Sequence, residues 1–312
     1  MNKSLKTAVR TFLIPFTPIL VRYIRHFPLS IGKLFCLRVV FFLGKAYTTR
    51  TFFGSKMKGR TNDLIQGYIY CFGIWEPNLT RFIQSRLEGL SNRTFVDVGS
   101  NIGYFSLLVG RCMPKGKVIS VEAFPNIYDQ LIENININGY NNINAVNCAA
   151  TESPHPVSMY YAGVYNEGHT TSIKGIFHSA PTVVEGRPLW DILSDSEIRT
   201  TRLIKIDTEG AEYSVLKGMF PILHKFPMDV EIVVEITPSA LDEKEMLEIF
   251  TSFKDEGFFP YVLLNPYDEE YYLFSKKTYR PTKMEAYPDK QTDIIFSRID
   301  NEYLTWTSHT PA

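Results

Sequence analysis

Thr94-Phe-Val-Asp-Val-Gly-Ser-Asn-Ile-Gly-Tyr-Phe-Ser106 is the stretch on which the fold turns. Thr94–Val98 is an apolar run that reads as a strand ending in Asp97-Val98-Gly99, and residues 103–112 read as a helix. Strand, glycine turn and helix in that order form the setting a ligand-cradling loop needs. Gly99 and Gly103 let backbone pass close to a ligand, and Asn101 is one of the few residue types besides glycine that tolerate a left-handed backbone. The loop is not a dinucleotide fingerprint. With Gly99 as first glycine, G-x-G-x-x-G requires glycine at 101 and 104, where Asn101 and Tyr104 stand. No GxxxxGK[ST] phosphate loop occurs anywhere in the chain.

Outward from this loop, short β-rich runs alternate with helical ones. Lys117–Val121 reads as a strand, Tyr128–Ile135 as a helix and Ile143–Asn147 as a strand. Leu203–Ile206 is the next strand, followed by a helix from Ala211 to about Lys217, and Glu231–Ile236 is another. A helix with Leu241, Met246, Ile249, Phe250 and Phe253 on one face runs to Gly257. Tyr261–Leu264 and Asp293–Phe296 read as closing strands. The alternation predicts an α/β fold, a doubly wound, mostly parallel seven-stranded sheet with ligands at the carboxyl ends of its strands. It occupies residues 61–312, with segments near 151–200 and 265–292 outside the minimal pattern and read as substrate-side insertions.

Glu122 ends the second strand, where an acid can accept both hydroxyls of a ribose. Asp97 places a second carboxylate beside the loop. Two acids without a phosphate-binding lysine suit a ligand with a nucleoside at one end and positive charge at the other, and S-adenosylmethionine is such a ligand. The alternative is a structural turn and a solvated glutamate.

The run from Thr94 to Ser106 resembles the cofactor loop of the FkbM-type class I methyltransferases, and Leu203-Ile-Lys-Ile-Asp-Thr-Glu-Gly-Ala-Glu212 resembles a second signature of that family. Tyr70-Cys-Phe-Gly-Ile-Trp-Glu-Pro77, Asn134-Ile-Asn-Ile-Asn-Gly139 and Val233-Val-Glu-Ile236 are further matches, so the likeness covers about residues 55–300. Ser100 departs from the family's usual Ala, and Ala123-Phe124-Pro125 stands where Pro-x-Pro is common. The resemblance implies an S-adenosylmethionine-dependent methyltransferase acting on a hydroxyl of a glycan, a lipid-linked compound or another polar metabolite. It implies cofactor contacts from Asp97, Gly99, Ser100, Asn101, Gly103 and Glu122, and from Glu76 reaching the cofactor's amino group. Without the resemblance, Glu76 reads as a helix-start residue beside Pro77.

The second motif carries the candidate chemistry. Asp207 ends the fourth strand beside the switch point of the sheet, with Glu209 and Glu212 close behind. Asp207 and Glu209 are the candidates for base and for substrate orientation, and His169 in Gly168-His-Thr-Thr171 is a third candidate by its chemistry. The bland alternatives are a helix cap for Asp207, a helix residue facing solvent or pairing with a lysine for Glu212, and a polar loop residue for His169. Clustered acids could also hold a divalent cation that lowers the acceptor hydroxyl's pKa, but nothing in the spacing demands a metal ion. Asn265-Pro266-Tyr267 reads as a turn, and the aromatics from Tyr267 to Tyr279 read as a stacking wall for an acceptor or as packing for the insertion.

The 312 residues carry 33 basic and 33 acidic side chains, but residues 1–60 hold twelve Lys and Arg and no acid. The rest therefore carries 21 basic and 33 acidic groups, a net of −12. An acidic body disfavours general nucleic-acid binding and makes an RNA methyltransferase a weak alternative. Residues 1–60 read as a basic, apolar helical extension that either caps the domain or lies on an anionic membrane. Pro15, Pro18, Arg22, Arg25, Lys33 and Arg38 break its apolar runs short of a membrane span, and no cleavable signal is expected. Cys36, Cys71, Cys112 and Cys148 stand far apart, which predicts free thiols and a cytoplasmic protein. The rival readings are a nicotinamide-dependent oxidoreductase and an inactive membrane-associated adaptor.

Overall fold

The computed structural model describes residues 3–26, 32–161, 170–171, 182–275 and 277–305. They divide into two compact units, one gathering Met1–Glu76 with Pro266–Lys277, the other Pro77–Ala162, His169–Asn265 and Thr278–Ala312.

The second unit is built on a sheet whose main strands are β1 (Ser91–Val98), β2 (Lys115–Val121), β3 (Ile143–Val146), β4 (Thr201–Ile206), β5 (Glu231–Ile236), β6 (Phe259–Leu263) and β7 (Thr292–Ser297). They lie in the order β3-β2-β1-β4-β5-β7-β6, and the two-residue strand Thr282–Lys283 adds an eighth at the β6 edge. From β3 to β5 all neighbours pair in parallel, whereas β7 runs antiparallel to β5 and β6. Each expected strand is present to within a few residues. Asn147 falls just past β3 because its side chain turns to donate to the carbonyls of Glu122 and Ala123.

The strands read as continuous apolar runs because both faces are covered. On one face Val96, Val98, Ile119, Ile204, Ile206, Ile232, Val234, Ile294 and Phe296 form a single core with helix residues. Those helix residues are Val215, Leu216 and Met219 of Glu212–Met219, and Ile249, Phe250 and Phe253 of Glu243–Asp255. Alternation along the strands puts Asp97 and Lys205 on the other face, directly paired in register across β1 and β4. The chain leaves β1 toward β3 and returns on its other side as β4. The switch point therefore lies between the carboxyl ends of β1 and β4. In the 151–200 insertion, His155–Tyr161 pairs antiparallel with Thr182–Arg187 to make a separate small sheet.

The first unit holds helices Lys3–Leu13, Thr17–His26, Lys33–Leu43 and Leu64–Phe72, the hairpin Ala46–Arg50/Lys56–Arg60, and Glu269–Phe274 from the second insertion. Its core is Val21, Ile24, Cys36, Leu37, Val40, Tyr47, Tyr70, Cys71 and Leu273. Arg25 ties its second helix to the carbonyls of Tyr70 and Cys71, at 2.7 and 2.8 Å. The four cysteines are free thiols. No helix of the described residues is long and apolar enough to cross a membrane.

Candidate active site

After β1 the chain turns through left-handed backbone at Gly99, Asn101 and Gly103, with φ of 75°, 50° and 92°. Gly99 is required sterically as well. A Cβ there would lie 1.8 Å from the Asp207 carbonyl oxygen, so the two loops touch backbone to backbone. Gly99 and Ser100 donate their N–H groups to the Val121 carbonyl at 2.9 and 3.0 Å. The Asn101 side chain accepts from the Ile102 N–H at 2.7 Å, and buried Asn134 donates to the Ile102 carbonyl at 3.0 Å. That last bond gives the asparagine-rich helix after the second strand its role in shaping the loop.

Glu122 is buried at the end of β2. Its two carboxylate oxygens accept from the N–H groups of Asn101 and Phe124, both at 2.9 Å. Burial pushes its carboxyl up to about 7, against the pull of those two donors. Asp97 is buried too; one oxygen accepts from the Ser106 hydroxyl at 2.6 Å, which in turn accepts from Ser120 at 2.6 Å. Burial raises the Asp97 carboxyl, with Lys205 opposing. The other Asp97 oxygen, Oδ1, and the Ser100 hydroxyl are buried without a hydrogen-bond partner. Orphaned polar atoms of this kind cost free energy until a ligand or water satisfies them.

On β4 the second motif is held by its own chain. The Asp207 N–H donates to the Val98 carbonyl at 3.0 Å, and its half-exposed carboxylate takes an ion pair from the buried Lys205 Nζ at 2.8 Å. Lys205 also lies over the Phe105 ring, 5.0 Å from its centroid. Glu209 is half-buried with φ of 55°, a left-handed backbone that a residue other than glycine adopts only at a cost. Glu212 corrects the expectation of a solvent-facing residue. It is buried and accepts from the N–H groups of Thr208 and Gly210 and from the Thr208 hydroxyl, at 2.8–3.1 Å. It clamps the turn that presents Asp207 and Glu209.

Glu76 belongs to the first unit, where its side chain accepts from the Tyr267 hydroxyl at 3.0 Å and its N–H donates to Tyr272 at 2.8 Å. It directly precedes the helix opened by Pro77, and its implied reach to the cofactor rests on the resemblance. His169 lies outside the described residues.

Lys205, Asp293 and Asn265 were not anticipated. Asp293 is buried on β7, opposite Glu235 of β5, and takes a hydrogen bond from the Asn265 amide at 2.8 Å. Burial pushes its carboxyl up to about 7, with Asp207 adding to the rise and Lys205 opposing it. Lys205 had a visible signal, a cation inside the apolar run Leu203–Ile206. Asp293 had none, because only the reversed direction of β7 brings its first residues to the carboxyl ends of the other strands. Among the described residues, no group of three or more His, Cys, Asp or Glu is placed to hold a metal ion.

The strand order, the antiparallel β7 and the two loops at the switch point define a class I, S-adenosylmethionine-dependent methyltransferase fold. Residues 97–260 match the Methyltransferase FkbM domain, and the chain belongs to that family. It is 28% identical over 158 residues to methyltransferase sdnD of Sordaria araneosa, covering 41% of this chain and 61% of that protein. It is 26% identical over 159 residues to hexuronic acid methyltransferase AglP of Haloferax volcanii, covering 51% and 61%. Both matches thus span about three fifths of the relative's length. A SAM-dependent methyltransferase structure from Agrobacterium tumefaciens superposes with a TM-score of 0.45 at 11% identity, over 82% of this chain and 71% of that one. Fold and family imply S-adenosylmethionine as cofactor. The residues present fit it: a Gly99 cradle without room for a side chain, two orphaned polar atoms and a paired set of carboxylates.

Proposed function

We propose that the protein is an S-adenosylmethionine-dependent methyltransferase that methylates a hydroxyl group of a glycan, a lipid-linked compound or another polar metabolite. The observation that carries this reading is the meeting of the two loops. The backbone of Gly99 lies against Asp207, so the cofactor loop and the acid of the second motif share one place in the sheet. The glycan class draws support from the hexuronic acid methyltransferase among the relatives.

When bound, S-adenosylmethionine supplies an electrophilic sulfonium methyl. Glu122 would accept from the ribose hydroxyls while it continues to fix Asn101 and Phe124. Asp97 Oδ1, the Ser100 hydroxyl and the backbone of Gly99, Asn101 and Gly103 complete the cradle. Glu209 orients the acceptor. Asp207 would accept the proton of the acceptor hydroxyl, and Lys205 holds that carboxylate in place. Alignment is worth up to ~7–11 kcal/mol in favourable cases, and the base adds roughly 10²–10⁴-fold.

The test is release of S-adenosylhomocysteine on incubation with S-adenosylmethionine and a panel of sugar hydroxyl acceptors. An acceptor-dependent signal that Asp207→Asn removes is the expected result. Nicotinamide binding in place of S-adenosylhomocysteine binding, or full turnover by Asp207→Asn, would overturn the assignment.

A further inference from the structure

The first unit carries two surface features that its own packing does not explain. One is a stripe on the nearly continuous helical run from Lys3 to His26. Phe12, Phe16 and Ile19 recur at i, i+4 and i+7, the spacing of one helix face, and are 70%, 45% and 65% exposed. The inward positions Thr17, Val21 and Ile24 are buried. Phe35, near the start of the third helix, is a further aromatic at 70% exposure.

The other feature is the hairpin. Tyr47 and Met57 point into the unit and are buried, so alternation sends Arg50, Lys56, Lys58 and Arg60 to the opposite face. Arg50, Lys56 and Arg60 are exposed, and Arg50 stands directly across from Lys56. Like charges in cross-strand register destabilise a hairpin, and an anionic ligand would offset that cost.

Among the described residues of this unit, thirteen Lys and Arg stand against five acids. Residues 1–60 contain none. Asp63 and Asp268 cap the helices they precede, Glu76 is buried, Glu269 pairs with Arg38 at 3.2 Å, and Glu270 is exposed.

We propose that this unit docks on an anionic lipid bilayer, with Phe12, Phe16, Ile19 and Phe35 entering the interface and the hairpin cations meeting the headgroups. The charge pattern selects this occupant. A second copy meeting it through the same unit would bring the same positive excess to the contact, and one meeting it through the acidic remainder of the chain would gain nothing from an exposed phenylalanine stripe. A nucleic acid would satisfy the cations but gain nothing from an exposed phenylalanine stripe, whereas an anionic bilayer rewards both features. No helix of the described residues is long and apolar enough to cross a membrane, so the docking proposed here is a surface contact of this unit. The inference does not rest on the methyl-transfer reading.

The experiment is sedimentation of the 312-residue protein with vesicles of phosphatidylcholine alone and of equimolar phosphatidylcholine and phosphatidylglycerol. Binding is expected to the second and at least about tenfold weaker to the first, with loss at about 1 M salt, where the Debye length falls to about 3 Å. Arg50→Ser/Lys56→Ser/Arg60→Ser should weaken binding on the order of 100-fold, and Phe12→Ser/Phe16→Ser at least about tenfold. Both variants should keep the wild-type melting temperature and S-adenosylhomocysteine affinity. If either variant is misfolded, the single exposed changes Lys56→Ser and Phe12→Ser carry the test. Equal binding to both vesicle types, or to neither, would overturn the proposal. So would displacement by a single-stranded oligonucleotide with no effect of the phenylalanine changes, or a dimer on sizing that Phe12→Ser/Phe16→Ser dissolves.

Discussion

The loops that leave β1 and β4 are built alike and serve different ends. Each contains a left-handed residue other than glycine, Asn101 in one and Glu209 in the other, and each is held by a buried glutamate that accepts from loop N–H groups. Glu122 reaches across from the neighbouring β2 and spends one bond on Asn101 and one on Phe124. An ionised carboxylate has about four acceptor positions, so Glu122 keeps capacity for a ligand. Glu212 comes from the helix its own loop opens and makes four contacts to that loop, leaving Asp207 and Glu209 as the groups that face outward. In the proposed function one glutamate is both scaffold and ligand site; the other is scaffold alone.

The largest effect that would test this pairing is at the point where the loops touch. Gly99→Ala places a methyl group 1.8 Å from the Asp207 carbonyl, so both loops must move. A loss of about 4 kcal/mol or more in stability is expected, together with loss of cofactor binding, read by denaturant unfolding and calorimetry. Wild-type stability would mean that the loops can separate at little cost. Next, Asp207→Asn should cut turnover roughly 10²–10⁴-fold while changing cofactor affinity little, measured by acceptor-dependent release of S-adenosylhomocysteine.

The two glutamates should then part company. Glu212→Ala leaves the N–H groups of Thr208 and Gly210 without their acceptor, which should cost about 1–3 kcal/mol of stability and lower turnover with cofactor affinity kept. An equal loss of affinity would erase the distinction between them.

The smallest effect is a pH dependence. The Glu122 carboxyl is raised from 4.5 to about 7 in the folded protein, so the fold holds this proton more tightly than the unfolded chain does. Its contribution to ligand-free stability is fully present below pH 4.5 and is lost as pH rises through about 7. Hydroxyl donors favour the ionised form, so cofactor affinity should move the opposite way and tighten between pH 6 and pH 8. Glu122→Gln should flatten both trends, and identical profiles for variant and wild type would assign them to another group.

The loop proposed to hold the cofactor was legible as a structure because its parts are local. Strand, turn, Gly99, Asn101 and Gly103 are consecutive, and Glu122 follows at the end of the very next strand. Asp207 and Glu209, proposed to face the acceptor, share that property. Asp293 and Asn265 come from segments far along the chain, and their place depends on the reversal of β7. Glu212 misled for a different reason. An acid in the first turn of a helix normally faces water, and nothing in its spacing reveals that the preceding turn curls back over it.

The central claim is that Glu122 couples the glycine loop to a nucleoside ligand. Calorimetric titration of the wild type and Glu122→Ala with S-adenosylhomocysteine, beside NAD as control, tests it most directly. The account predicts binding of S-adenosylhomocysteine but not NAD by the wild type, weakened by about 1.5–3 kcal/mol in a variant that still folds. Equal affinity of a folded Glu122→Ala protein for S-adenosylhomocysteine, or tighter binding of NAD by the wild type, would contradict it.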